Sequence, residues 1–516
     1  MVRKVVHVKQ GDPRGHVLAF IPAVWRTKNQ PRGSQSVRSS VEAGQRPRSE
    51  GAQEGGSEQP MHMEEQPSEV PASEGRSKQG GEVRRGRLRE QGPWWWTEPC
   101  VWTGRMLTAL EQGVKGDRWF SLIDKVYSPR TLAASFERVR ANGGAAGVDH
   151  QTIARFSEDL ERNLERLSDS LRHGTFRPQE IRRVWIPKPG RNEKRPLGIP
   201  TVRDRVVQTA LRSAIEPIFE RDFAEQSYGF RPGRGCKDAL RRVEELLGAG
   251  HVWVVDADLK GYFDTIPHDR LMERVRARIA DGRVLDLIES FLRANVHETA
   301  GAEESGPDPD EGTPQGAVIS PLLSNIYLDP LDHLMAERGV EMVRYADDFV
   351  ILCRSEQDAR AALAMVEEWV RKHGLTLHPE KTRVVDAGSG DGFDFLGYRF
   401  QHGRHWPSKK SQRRLKDAVR TMTGRMNGQS LRTTIAELNP VLRGWFEYFK
   451  HCRPWRYRWL DGWVRMRLRS ILRHHNKGRG AGRGWDHRRW PNRFFAEHGL
   501  YSMSAAHVAA RQSARR

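Results

Sequence analysis

Tyr345-Ala346-Asp347-Asp348 sets two adjacent carboxylates between apolar stretches, Val343 before them and Phe349-Val350-Ile351-Leu352 after. Adjacent like charges repel, and charge at a turn between two buried strands is costly unless something cationic neutralises it. The pair therefore points to a bound metal. An Asp-Asp pair alone usually marks a solvated turn, but a second acidic strand end argues otherwise: Val252-Trp253-Val254-Val255-Asp256-Ala257-Asp258-Leu259, a short β-branched run closing on acids. If both lie side by side in one antiparallel sheet, Asp258 meets Asp347 and Asp348. Three carboxylates could then hold two Mg²⁺ ions roughly 3.5 to 4 Å apart, one activating an attacking hydroxyl and one stabilising a leaving pyrophosphate. Oxygen donors without a nearby His or Cys cluster favour Mg²⁺ over zinc.

The elements that must position these acids are short. Met342 to Tyr345 and Phe349 to Cys353 read as the arms of a β-hairpin with Ala346-Asp347-Asp348 at its turn, and a helix could begin within Lys260-Gly261-Tyr262-Phe263-Asp264. Upstream, Ser128-Pro129 offers an N-cap and a first-turn proline for a helix through Leu132, Phe136 and Val139, ended by Asn142-Gly143-Gly144. The Asp/Pro/Gly-rich piece from Gly301 to Gly312 reads as a loop at a hairpin tip. Residues 1–105 are mostly low in complexity, and from about Pro31 to Gly92 they lack the apolar surface to offset ordering entropy, so disorder is expected. Alternating helix and strand patterns fill residues 106–400, and a helical, basic segment fills 401–516. The fold class expected is α+β.

The chain has 516 residues and a net charge of +20. Residues 401–516 hold 27 Lys and Arg against 6 Asp and Glu, which leaves the first 400 residues close to neutral. Seven of the sixteen tryptophans fall in the same segment: Trp406, Trp445, Trp455, Trp459, Trp463, Trp485 and Trp490. Basic residues interleaved with aromatics suit phosphates and exposed bases, although any single Trp is more simply a core residue. No window approaches the ~18 consecutive apolar residues of a membrane span, so no membrane partner is expected. Cys100, Cys236, Cys353 and Cys452 form no Cys-x-x-Cys pair, which fits free thiols in a reducing cytoplasm.

Asp258-Leu259-Lys260-Gly261-Tyr262-Phe263-Asp264, Gly312-Thr313-Pro314-Gln315-Gly316 with Ser320-Pro321-Leu322-Leu323-Ser324-Asn325-Ile326, and Tyr345-Ala346-Asp347-Asp348 follow one another as in reverse transcriptases, which the chain resembles. Further blocks resemble bacterial group II intron-encoded proteins: Ile186-Pro187-Lys188-Pro189, Arg195-Pro196-Leu197-Gly198-Ile199-Pro200, Ser227-Tyr228-Gly229-Phe230-Arg231-Pro232-Gly233 and Phe395-Leu396-Gly397-Tyr398. The resemblance covers roughly residues 120 to 500. Leu438-Asn439-Pro440-Val441-Leu442-Arg443-Gly444-Trp445-Phe446-Glu447-Tyr448-Phe449 looks like the family's maturase helix, with Asn439-Pro440 near its start and Leu442, Trp445 and Phe449 as a buried stripe.

The resemblance implies right-hand fingers and palm over 106–400, then a helical thumb and maturase domain over 401–516. It makes Asp258 and Asp347 the ligands bridging two Mg²⁺ ions, Asp348 a more peripheral acid, and Leu259 the donor of a backbone carbonyl. Phe263 matches a steric gate against the 2′-hydroxyl, with an ordinary core Phe as the alternative. Gln315 sits in the loop lining the nascent base pair. Lys188 and Arg195 would clamp the triphosphate, with Arg191 and Lys194 competing for that task. Lys381 either protonates pyrophosphate or holds the template, a solvated lysine being equally open. Arg456, Arg458, Arg465, Arg467, Arg469 and Arg473 line the other side of a helix carrying Trp459, Trp463, Met466 and Ile471 and would bind RNA. The partners implied are an RNA template, intron RNA, a DNA primer or target, and dNTPs; the oligomeric state is left open, a homodimer included. No terminal Cys-pair HNH nuclease is expected. Two other readings stay open: a maturase that splices without polymerising, which the intact Asp258, Asp347 and Asp348 oppose, and a retron, diversity-generating or CRISPR-associated reverse transcriptase, which residues 438–501 oppose.

Overall fold

The computed structural model describes residues 92–187, 194–298, 310–425, 428–452, 454–478, 480 and 484–513. The low-complexity stretch expected to be disordered, up to residue 91, and most of the 301–312 loop lie outside them. By internal contacts the chain divides into Arg84–Val508 and a second unit, Met1–Val83 with Ala509–Arg516, of which only residues 509–513 are described.

The Arg84–Val508 unit begins with a helical layer: α1 (Gly104–Gln112), α2 (Ile123–Tyr127), α3 (Pro129–Asn142), α4 (Ile153–Glu158) and α5 (Leu160–Arg172). As the sequence suggests, Pro129 opens α3 and Leu132, Phe136 and Val139 are buried, with Gly143 at its end; the Ser128 side chain makes no capping bond. Strands β1 (Ile181–Pro187) and β2 (Lys194–Ile199) pair antiparallel, and β4 (Val296–Glu298) runs parallel to β1. Between them come α6 (Val202–Glu220), α7 (Cys236–Gly248), β3 (Trp253–Asp258), α8 (His268–Arg276) and α9 (Gly282–Leu292). Then follow α10 (Ser320–Glu337), β5 (Glu341–Tyr345), β6 (Asp348–Cys353), α11 (Glu356–Lys372) and β7 (Arg383–Asp386).

The acids are carried by a four-stranded antiparallel sheet in the order β5-β6-β3-β7. Its alternation is the reason it folds as it does. Val255, Ala257, Phe349 and Ile351 point into a core shared with the helical layer, while Asp256, Asp258 and Asp348 occupy the other face. That other face is in turn approached by β8 (Phe393–Phe395) of a small antiparallel sheet with β9 (Tyr398–Gln401) and β10 (Arg404–Pro407). Phe393, Phe395 and Phe400 are fully buried there.

The basic segment is helical: α12 (Lys409–Met422), α13 (Leu431–Phe449), α14 (Pro454–His475), α15 (Trp485–Arg489), α16 (Asn492–Glu497) and α17 (Met503–Ser513). Leu442, Trp445 and Phe449 form the buried stripe expected of α13. Two expectations fail. Asn439-Pro440 lies mid-helix, because Ser430 caps α13 by accepting from the Thr433 amide and the buried Thr434, Ile435 and Leu438 carry the helix from Leu431. Tyr262–Asp264 forms a single 3₁₀ turn after left-handed Gly261, and the next α-helix starts only at His268.

All four cysteines are free thiols. Among the described residues no helix is long and apolar enough to cross a membrane.

Phe349 is fully buried where β6 meets the helical core. Phe349→Ala should cost about 3–5 kcal/mol by leaving a cavity, read as a lowered urea midpoint at unchanged m-value; a loss under ~1 kcal/mol would mean the strand does not pack there.

Candidate active site

The acids meet at one end of the sheet. Asp258 on β3 pairs in register with Asp348 on β6, and Asp348 pairs on its other side with Tyr345 on β5. The turn is thus only Ala346-Asp347, tighter than expected, with Asp348 already the first strand residue and Ala346 held at φ +61°. Asp256, two residues before Asp258 and so on the same face, is held by Arg383 at 3.2 Å. Lys381 pairs with the Asp258 carboxylate. Two cations spaced i, i+2 on the segment entering β7 therefore face two acids spaced i, i+2 on β3. Leu259 lies buried beside Asp258.

Crowding leaves its mark on ionisation. Burial, then Asp347, Asp256 and Asp258, push the Asp348 carboxyl up to about 8, with Lys410 opposing. Burial also raises Asp347, with Asp258 adding to it, while its own backbone amide, Arg344 and Lys381 pull the other way. Burial raises Asp256 despite Arg383. Among the described residues no three His, Cys, Asp or Glu side chains form a ready-made metal cage; Asp258 is turned to Lys381 instead. The residues nonetheless fit a hard divalent cation: the donors are all carboxylate oxygens, and their mutual repulsion is what such a cation relieves.

Next to the acids, Phe263 packs edge-on against Tyr262, whose hydroxyl donates to the Ser324 carbonyl at 2.7 Å. The Phe263 carbonyl accepts from the Thr313 amide at 2.6 Å, and Gln315 Nε2 donates to Asp264 Oδ2 at 3.0 Å. The gate candidate Phe263 and the 313–316 loop are therefore adjacent. The Gln315 carbonyl also accepts from the Gly198 amide on β2 at 2.6 Å, and a Cβ on Gly316, at φ +112°, would come within 2.3 Å of the Gly198 carbonyl oxygen. Sequence reasoning misses Asp264 and this docking onto β2, although Asp264 belongs to the same conspicuous Tyr-Phe-Asp triplet. Lys188 lies outside the described residues, and of Arg195 only the strand position, opposite Ile186, is described.

The six arginines expected on one open helix face do not share a role. Arg458 is exposed. Arg465 lines a cavity of about 40 Å³ with Asn492 and Phe495. Arg467 donates to the Thr423 side chain and carbonyl at 3.0 and 2.9 Å, and Arg473 is paired with Asp486 at 2.7 Å. Arg469 is interior, donating to the Trp490 carbonyl and to Asn492 Oδ1, both at 2.9 Å. A buried guanidinium cannot reach a phosphate. The Arg456 side chain lies outside the described residues. The open basic face lies instead on α12, with Lys409, Lys410, Arg413 and Arg420 exposed and Lys416 set 4.4 Å from the ring of half-exposed Trp459. The Lys- and Arg-dense sequence of α12 is signal enough to find it.

Residues 186–400 match the reverse transcriptase (RNA-dependent DNA polymerase) family, and residues 412–491 match the group II intron maturase-specific domain. The chain is 34% identical over 355 residues to the protein YkfC of Escherichia coli K12, covering 60% of this chain and 86% of that one. It belongs to the bacterial group II intron reverse transcriptase/maturase family. Within that family it is also 37% identical over 218 residues to the group II intron-encoded protein LtrA of Lactococcus lactis, where the match spans 42% of this chain and only 35% of LtrA. Among solved structures, a partial Cas6-RT-Cas1–Cas2 complex aligns at 23% identity and a TM-score of 0.32 over 49% of this chain and 41% of that one, too slight a likeness to bear on function. The paired reverse transcriptase and maturase-specific matches favour the family over the retron and CRISPR-associated alternatives.

The Asp348 carboxyl ionises far less readily in the folded chain than in the unfolded one, so the folded state holds a proton that the unfolded state releases. The contribution of Asp348 to stability then falls as pH rises from about 4 through about 8. Without divalent metal, Asp348→Asn should melt higher than the wild type at pH 8, with the gap closing towards pH 4; an equal gap at both ends would refute the buried-charge account.

Proposed function

We propose that the chain is an RNA-directed DNA polymerase that also binds its group II intron RNA and assists the splicing and mobility of that RNA. The observation that carries this reading is the register match of Asp258 with Asp348, with Asp347 at the adjoining two-residue turn. In this reading residues 106–400 are fingers and palm and residues 401–516 are thumb and maturase domain, working in the cytoplasm.

Asp258 and Asp347 would hold two Mg²⁺ ions, with Asp348 behind them and the Leu259 carbonyl beside them. When bound, such ions lower the pKa of an attacking primer hydroxyl and neutralise charge building on the leaving pyrophosphate. The chain's own residues do the rest. Lys381, drawn to Asp258, keeps a cation at hand for pyrophosphate or template. Phe263 stands where a bulky ring selects deoxynucleotides, and its carbonyl anchors the Thr313 amide, so gate and base-pair loop keep a fixed spacing. Gln315, held by Asp264, would line the nascent pair. Lys188 and Arg195 would reach the triphosphate from the fingers hairpin. The exposed cations of α12, with Trp459, would grip duplex or structured RNA through phosphates and shape rather than sequence. The fit of the acids to metal favours this over a splicing-only maturase.

The purified protein should extend a DNA primer on an RNA template with dNTPs and Mg²⁺, and Asp347→Asn should lower extension by at least about a thousandfold with RNA affinity retained. No extension by the wild type across several buffers would leave the splicing-only reading standing. Replacing Lys409, Arg413 and Lys416 with Gln together should weaken RNA binding and flatten log K against log salt by roughly 0.7–0.9 per lost contact, whereas Arg469→Gln should act through stability. An unmoved slope in the triple variant would remove α12 from the interface.

A further inference from the structure

Directly beneath the acidic turn is a cation that no part of the proposed chemistry uses. Arg344, the residue before Tyr345, is fully buried, as is its partner Asp332 on α10. Its Nε donates to Asp332 Oδ1 and Oδ2 at 2.8 and 3.0 Å, and its Nη2 donates to Oδ2 as well. Its Nη1 donates at 2.9 Å both to Asn325 Oδ1 and to the Ala346 carbonyl, which is the peptide oxygen of the turn itself. Asn325 Nδ2 in turn donates to the Gly229 carbonyl at 2.8 Å. The backbone of Arg344 is held as well: its amide donates to the Gln226 carbonyl and its carbonyl accepts from the Tyr228 amide, each at 2.9 Å. Gly229 lies so close that a Cβ there would be 2.2 Å from the Ala346 nitrogen.

We infer that Arg344 is a positioning residue which, braced by Asp332 and Asn325, fixes the Ala346-Asp347 turn and thereby the metal affinity of the Asp347 carboxylate. The physical reason is that Ala346 adopts a left-handed backbone that a residue with a side chain rarely holds unaided. A turn of that kind is kept only where its surroundings over-determine it. Here one planar guanidinium, which can satisfy an acid, an amide and a carbonyl at once, ties α10 to the turn, while the Arg344 backbone and Asn325 add the 226–229 loop. Lysine keeps the charge and lacks the fork.

The inference rests on the reading of these carboxylates as the polymerase centre. Removing Arg344 or Asp332 outright strands a buried charge and can unfold the chain, so the deciding variant is Asn325→Ala, which leaves the Arg344–Asp332 pair intact. Mn²⁺ binding to the metal-stripped protein, primer extension against Mg²⁺ concentration, RNA affinity and melting temperature are measured together. Expected is a rise of about tenfold in both the Mn²⁺ dissociation constant and the half-saturating Mg²⁺, with RNA affinity close to wild type and a melting temperature lowered by only a few degrees for the two buried hydrogen bonds lost. Arg344→Lys, where it folds, should show the same split and a larger shift. Metal binding unchanged in folded Asn325→Ala, whatever its activity, would reduce the network to packing. A wild type that extends no primer would instead defeat the polymerase reading, so the two failures are distinguishable.

Discussion

Repulsion among the carboxylates at one end of the β5-β6-β3-β7 sheet is the constraint around which the rest of the molecule is arranged. Asp256, Asp258, Asp347 and Asp348 converge there, three of them raised by burial and by one another. Charges so placed would splay the strand ends unless countered. The protein counters part of the repulsion: Lys381 on Asp258, Arg383 on Asp256, and Lys410 of α12 opposing the shift at Asp348. What remains uncompensated would favour a small hard cation, and the proposed two-metal chemistry would draw on that residual.

Holding such a site needs ties beyond the pairing of the strands. The fully buried Arg344 and Asp332 supply them from below the turn, and the Gly198–Gln315 and Phe263–Thr313 backbone bonds supply them from the side, where β2 meets the 313–316 loop. Gly229 and Gly316 are required by these close approaches: in each case a Cβ would meet backbone within 2.3 Å. The Asp258 and Asp347 strand ends, Phe263 and the 313–316 loop are thus fixed jointly by main-chain hydrogen bonds and by the buried Arg344 side chain.

Much of this is legible in the chain. The short β-branched run closing on Asp258 and the apolar run that follows Asp348 announce the strands, and the i, i+3, i+7 stripe of Leu442, Trp445 and Phe449 announces its helix. Local pattern fails where a residue's partner is remote. Arg469 looks like one more solvent-facing arginine until Trp490 and Asn492 fold back over it from some twenty residues further along the chain. Asn439 looks like a helix start, yet its side chain bridges the Gly499 carbonyl and the Tyr501 amide of the tail. Arg344 looks like an ordinary strand residue because Asp332, Asn325 and Gly229 are distributed over a helix and a loop. A long side chain with a planar charged head can serve either water or a distant carbonyl, and local pattern does not say which.

Everything proposed for the site depends on whether the acidic strand ends hold metal. Counting Mn²⁺ bound per chain by electron paramagnetic resonance, with RNA template, DNA primer and a non-hydrolysable dNTP in place, tests this most directly. Two-metal chemistry at these acids predicts about two ions per chain, with loss of tight binding in Asp258→Asn. A count that Asp258→Asn leaves unchanged, or the absence of tight binding in the wild type, would contradict it.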